Sequence, residues 1–182
     1  MSQNIHFGDY PFAIKEHLAS WLHWDWRLPI FGQRVLSFAS KFPPNLDPTR
    51  PLKIDRTNDH DRKYMFNEWI IPSGRPGSGP TAIWDKGVFR VLGEKSMIHQ
   101  LAHGNLRIYV IGDRLKGNFS LKWIGPGEHN WLWIKEWDDY ADSLLKFPNV
   151  LTQEKIMELE RKNHTPKGSR SLNLFNKQKM FF

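Results

Sequence analysis

Alternation of apolar and polar side chains runs through most of this chain. In "LHWDWRL", Leu22, Trp24, Trp26 and Leu28 alternate with His23, Asp25 and Arg27, the period-two pattern of a strand with one buried face. "YPFAIKEH" predicts a strand before it, with a short turn through "LAS" between them. "FGQRVLSFAS", with "FGQ" as its turn, and "LKIDRT" predict two more strands. Between these lies "KFPPNLDPTRP", whose four prolines can neither continue a helix nor pair in a central strand. After "NDHDRKY" comes the Gly/Pro loop "PSGRPGSGP", then "TAIWDKGVFRVL", which predicts a hairpin turning at "DKG". "NLRIYVIGD", "NFSLKWIG" and "NWLWIKEWDD" read as further strands. Many short strands divided by turn residues predict a sandwich or a small barrel. Helical spacing appears only near the end. There Ile156 and Leu159 sit within "QEKIMELERKNH", Thr152 stands at the cap position, and Pro166 and Gly168 stop the element. The expected division is a β domain over residues 1–150 and a C-terminal helix with a basic tail over residues 151–182.

Composition narrows this picture. The 182 residues are 40% hydrophobic and include nine Trp and twelve Phe, enough for one substantial core. The absence of cysteine removes disulfide scaffolds, thiolate zinc sites and cysteine nucleophiles, and suits a reducing compartment. No apolar run approaches the roughly 20 residues of a membrane span, and "MSQNIHFGDY" lacks the features of a signal peptide. A soluble, cytoplasmic monomer is the expectation, with no membrane partner. The formal charge is +7, but six basic residues and no acidic ones lie between Arg161 and Phe182. Removing those six from the 26 basic residues leaves 20 against 19 acidic, so the body of the chain is near neutral. A phosphate-binding body therefore needs a local site, while the tail can touch a polyanion through its general charge.

The polar grid offers such a site. Residues two apart on a strand face the same way, about 6.5 Å apart, so His23 and Asp25 can converge on one ion. His17, delivered by the preceding turn, can complete a two-histidine, one-carboxylate set, and Arg27 follows on the same face with a fork suited to phosphate. Such ligands suit manganese, zinc, iron or cobalt alike. Lys41 at the mouth of the Pro-rich loop, and His60 and Tyr64 in "DHDRKY", are further phosphate-binding candidates. "HQLAH" spaces His99 and His103 by four, but Gln100 stands where the metalloprotease pattern needs Glu. "PSGRPGSGP" has the wrong spacing for a P-loop and reads as a connection, and nothing resembles a nucleophile elbow.

Taken in order, these motifs resemble the 3′-phosphoesterase domain of bacterial and archaeal end-joining DNA ligase D, including its stand-alone relatives. The resemblance runs over roughly residues 12–142. It is carried by His17 with "LHWDWRL" six residues on, Lys41, "DHDRKY", "IPSGRPGSGPTAIWDKG", "LKGNFSLKW" and "WLWIKEWDDYAD". It implies a mainly β fold, a small closed β-barrel with short helices, with the C-terminal helix read above. It also implies a manganese-dependent hydrolase, with cobalt or another divalent ion as substitute. By the same resemblance His17, His23 and Asp25 are metal ligands, while Arg27, Lys41 and His60 hold the phosphate, assisted by Tyr64. The implied substrate is a DNA primer–template ending in a 3′-phosphate or a 3′-terminal ribonucleotide, healed to a 3′-OH, with repair ligase and polymerase as partners. Lys15 stands where the family has Gln, Leu52 where it has Arg, and Pro80 is extra; Lys15, Arg50 and Lys53 are the local cations that could contact phosphate or DNA instead.

Two other classes fit parts of the pattern. A non-haem iron oxygenase on a jelly roll also uses His-x-Asp, but takes its second histidine from far downstream, as from His99 or His129. A catalytically dead DNA-end-binding module would use the same surface without turnover, its aromatics stacking on unpaired bases.

Overall fold

The computed structural model describes residues 8–29 and 32–164 of the chain. His6 and the terminal "NKQKMFF", with most of the basic tail, lie outside the described residues. The strands are β1 (Tyr10–Leu18), β2 (Leu22–Pro29), β3 (Arg34–Ser40), β4 (Leu52–Asp61) and β5 (Trp69–Ile71). They continue as β6 (Gly79–Val91), β7 (Asn105–Gly112), β8 (Lys116–Trp123) and β9 (Asn130–Lys135). They form one antiparallel sheet in the order β1-β2-β3-β4-β9-β8-β7-β6-β5. β1 also pairs with β6, from Tyr10 opposite Phe89 to His17 opposite Thr81, so eight strands close into a barrel and β5 remains on the margin of β6. Closure removes the open edges that a sheet of this size would otherwise expose.

The alternation seen in the sequence sorts side chains between two faces. Trp26 and Phe38 sit opposite one another on β2 and β3 and point into the barrel, where Trp26 meets Trp133 at 5.9 Å and Phe119 stacks on Trp133 at 4.8 Å. His23, Asp25 and Arg27 therefore lie on the outer face. Asp25 and Arg27 are nevertheless buried, because the connection from β4 to β6 passes over them. That connection holds a single 3₁₀ turn (Arg62–Tyr64), β5 and the Gly/Pro loop.

Two expectations are corrected. "DKG" is not a turn: β6 runs unbroken through it for 13 residues, with a register shift opposite Ile14 and Lys15. Asp85 is instead buried and accepts hydrogen bonds from the backbone N–H groups of Lys86, Arg114 and Leu115 at 2.9, 2.9 and 3.0 Å. Gly87 is required by close backbone approach, since a Cβ there would lie 2.1 Å from the Ile111 carbonyl oxygen. An Asp-x-Gly signal thus serves a cross-strand contact. The second concerns position: among the short helices that the resemblance implies, α1 (Met97–Ala102) lies where the hydrophobic pattern marks none, and Ser96 caps it by accepting from the His99 N–H. Six residues are too few for helical periodicity to register. The C-terminal helix α2 (Gln153–His164) forms as expected, and Thr152 Oγ1 accepts from the Lys155 N–H at 3.2 Å.

Replacing Asp85 by Ala is expected to lower stability by about 3 kcal/mol or more, at roughly 1–3 kcal/mol for each donor left without water. Urea denaturation measures this, and Asp85→Asn, which keeps one acceptor oxygen, is expected to cost less.

Candidate metal centre

Strand register assembles the site. His17 lies opposite His23, Lys15 opposite Asp25 and Ala13 opposite Arg27. On the far side of β2, Arg27 lies opposite Ser37, which lies opposite Thr57, with Val35 opposite His60 beyond. Four adjacent strands thus carry one ladder, polar except at Ala13 and Val35.

At its head, His17 Nδ1 lies 3.4 Å and His23 Nε2 3.7 Å from Asp25 Oδ2. The ligand atoms of the three residues all fall within 4.8 Å of one another. The far nitrogens fix the tautomers: His17 Nε2–H donates to the Gly77 carbonyl at 2.8 Å, and His23 Nδ1–H donates to the Trp21 carbonyl at 3.0 Å. A carbonyl can only accept, so in the neutral rings the lone pairs of His17 Nδ1 and His23 Nε2 both face the carboxylate. Three electron-rich atoms turned toward one point repel each other and complement a cation. Histidines held from behind by backbone carbonyls are the usual support of metal ligands. The residues present therefore fit a divalent ion.

Cations crowd the next rung. Arg27 reaches Asp25 Oδ2 at 3.2 Å and donates to the Trp26 carbonyl at 3.2 Å. Burial raises the Asp25 pKa, but the Arg27 charge outweighs it, joined when the histidines are protonated by a hydrogen bond from His17 and both imidazolium charges, and the carboxyl is taken down to about 2. Lys15 is buried and donates to the Tyr64 carbonyl at 3.3 Å; burial, then the Arg27 charge, lower its pKa to about 8. Two buried cations share one carboxylate, which leaves the site suited to an anion.

The other predicted residues are placed less closely. His60 Nδ1 is 3.0 Å from Ser37 Oγ. Part of its surface is open, yet loss of water around the ring, then the Arg27 charge, hold its pKa below the ordinary histidine value. Tyr64 reaches the site through its backbone carbonyl, while its exposed ring stacks on Trp69 at 6.1 Å. Lys41 Nζ sits 5.8 Å from the centre of the Trp21 ring, which in turn lies 4.6 Å from that of His23. Arg50 and Lys53 line a groove of about 570 Å³ that also includes Ser40 and Lys41, and Lys53 pairs with Asp55 at 2.8 Å. Leu52 is buried opposite Trp133 and also lines this groove. His129 donates to the Arg56 carbonyl at 2.8 Å and His99 lies on α1; the described metal-ligand group is His17, His23 and Asp25. Sequence reasoning missed Gly77, Trp21 and Ser37, which orient the three histidines. Two of them act through backbone carbonyls, for which side-chain identity carries no signal.

The chain matches the DNA Ligase D 3′-phosphoesterase domain over residues 15–122, which contain every predicted metal ligand and phosphate contact. It is 29% identical over 158 residues to the multifunctional non-homologous end joining protein LigD of Pseudomonas aeruginosa, covering 86% of this chain and 18% of the relative. It is 30% identical over 140 residues to the multifunctional non-homologous end joining DNA repair protein LigD of Mycobacterium tuberculosis, covering 76% of this chain and 18% of that protein. The chain thus spans under a fifth of those relatives' length. With the family's domain matched over more than half of this barrel-forming chain, the protein belongs to the DNA ligase D 3′-phosphoesterase family.

Proposed function

We propose that the chain is a metal-dependent 3′-end-healing phosphoesterase acting on DNA ends in repair, removing a 3′-terminal ribonucleoside and a 3′-phosphate to leave a 3′-OH. The observation that carries this reading is the convergence of His17 Nδ1, His23 Nε2 and Asp25 Oδ2 beside two buried cations. His17, His23 and Asp25 would hold the ion, with manganese the metal implied by resemblance. When bound, such an ion lowers the pKa of water and screens charge on the transferring phosphoryl group.

The remaining chemistry belongs to side chains. Arg27 is anchored by Asp25 and can present its second nitrogen to a phosphate oxygen; Lys15 supplies a second charge from below. Lys41, whose amine lies over the Trp21 ring, would neutralise the neighbouring phosphate of the strand. Loss of water around the ring and the Arg27 charge hold the His60 pKa below the ordinary histidine value in the free protein. A phosphate dianion bound beside it would restore its affinity for a proton, so His60 can deliver that proton to the leaving oxygen. Tyr64 contributes the carbonyl that holds Lys15. The oxygenase reading would need His99 or His129 beside His23, whereas His17 occupies that place.

The test uses metal-stripped protein and a recessed primer–template carrying either a 3′-phosphate or a 3′-terminal ribonucleotide, with manganese added or withheld. Conversion of both ends to 3′-OH only with manganese is expected. A product halted at 3′-phosphate would locate the loss at the Leu52 and Lys15 departures. Tight end binding without conversion under any divalent metal would overturn catalysis in favour of a binding module.

A further inference from the structure

The α2 helix lies beyond residues 15–122 matched to the family and carries none of the site residues. We infer that α2 is a brace that positions His17 through β5 and the Gly/Pro loop, and so sets the affinity of the centre for a divalent metal.

The chain of contacts is short. The His17 ring is held by the carbonyl of Gly77, a residue with φ +72° in an exposed loop. Gly74, at φ +81°, also takes a left-handed conformation in that loop, and the backbone hydrogen bonds within it are Arg75 to Pro72 and Ser78 to Arg75. Glycine-rich backbone of this kind has little intrinsic stiffness, so its position depends on its ends. One end runs into the barrel strand β6. The other is β5, three residues long and paired along one side, with β6. A strand so short contributes little stability alone.

The opposite side of β5 is where α2 packs. Asn163 Nδ2 donates to the Ile70 carbonyl at 3.0 Å, capping β5 on the side away from β6. Lys155 Nζ pairs with Glu68 Oε2 at 2.8 Å, and the other oxygen of Glu68 accepts from the Ile83 N–H at 2.9 Å. Leu159 is fully buried. Just before the helix, the Val150 and Leu151 N–H groups donate to the carboxylate of Glu16, the chain neighbour of His17, at 2.8 and 3.3 Å. The C-terminal segment is thus tied on one side to the strand that carries His17 and on the other to the support of its carbonyl partner. Lys155 and Asn163 are positioning residues. Linkage is reciprocal, so metal binding must favour docking of α2 by the same factor by which docking favours the metal.

The affinity readout rests on the metal reading given above; a second readout does not. In the full chain, Mn2+ binding is measured by electron paramagnetic resonance for the native protein, a Lys155→Ala/Asn163→Ala double variant and a Lys155→Arg control. The His17 tautomer is read from ring ¹⁵N shifts in metal-free samples. The double variant is expected to bind Mn2+ about tenfold more weakly or worse, the usual cost of losing support behind a metal ligand. Its His17 is expected to lose the fixed Nε2–H form, while far-UV circular dichroism stays native and Lys155→Arg behaves as the native chain. Native affinity and an unchanged tautomer in the double variant would overturn the brace. If the native protein itself binds no divalent metal, the metal reading fails, and the His17 tautomer alone decides: lost in the double variant, the brace stands; retained, it falls.

Discussion

Replacing Asp25 by Asn is expected to abolish manganese binding and to lower turnover on 3′-phosphate ends by more than about 100-fold, beyond the range typical of residues that merely support metal ligands. The substitution preserves volume and keeps one oxygen, so it tests charge. In the native site one carboxylate balances Arg27 and faces two histidine lone pairs. An amide leaves those lone pairs facing a neutral group and removes the partner of a buried guanidinium. The loss of that partner is expected to cost about 1–3 kcal/mol of stability. The barrel should survive, because the apolar core lies on the opposite face of β2, around Trp26 and Trp133. Thermal melting checks both parts. Metal that binds the native state adds about 2.7 kcal/mol at a hundredfold excess over Kd, so manganese raises the melting temperature of the native protein and leaves Asp25→Asn unmoved. Full metal-dependent turnover by the variant would remove Asp25 from the centre.

The second large effect runs in the opposite direction for stability. Lys15→Met is expected to stabilise the protein at pH 7 by on the order of 2 kcal/mol while raising KM for phosphate-bearing ends roughly tenfold, the value of a charge-assisted contact. Lys15 is buried, and its pKa is about 8 against 10.5 for the free amine, chiefly through burial and then through the Arg27 charge. Below pH 8 the native state carries the full cost of a charge it disfavours. As pH rises from 8 to 10.5 the native amine deprotonates before the unfolded one, and that cost is relieved. Native stability from this residue therefore increases across that window, and the Met variant loses the increase. Denaturation at pH 7 and pH 10 measures the difference. A destabilised variant with unaltered KM would mean that Lys15 serves packing alone. A buried cation held at such a cost beside a second one is what an anion-binding site would require.

Much of this was legible before any coordinates. The period of two in "LHWDWRL" determined that Trp24 and Trp26 would pack one side of a strand while His23, Asp25 and Arg27 shared the other, because successive strand side chains face opposite ways. The spacing of His17 across a short turn determined that a second histidine could lie opposite His23. Thr152 determined where the last helix starts, since its hydroxyl can receive an N–H left unpaired in the first turn. Other features needed contacts between residues far apart in the chain. The "DKG" stretch carries a strong local turn signal, and only the approach of Arg114 and Leu115 to Asp85 shows why the strand continues through it. Closure of β1 onto β6 joins segments about 70 residues apart, which no local period records. The polar face proved to be buried, and the carbonyls of Gly77 and Trp21 proved to orient the histidines. A backbone carbonyl is the same in every residue, so its placement has no letter in the sequence, and tertiary structure alone decides which ring nitrogen is left to face Asp25.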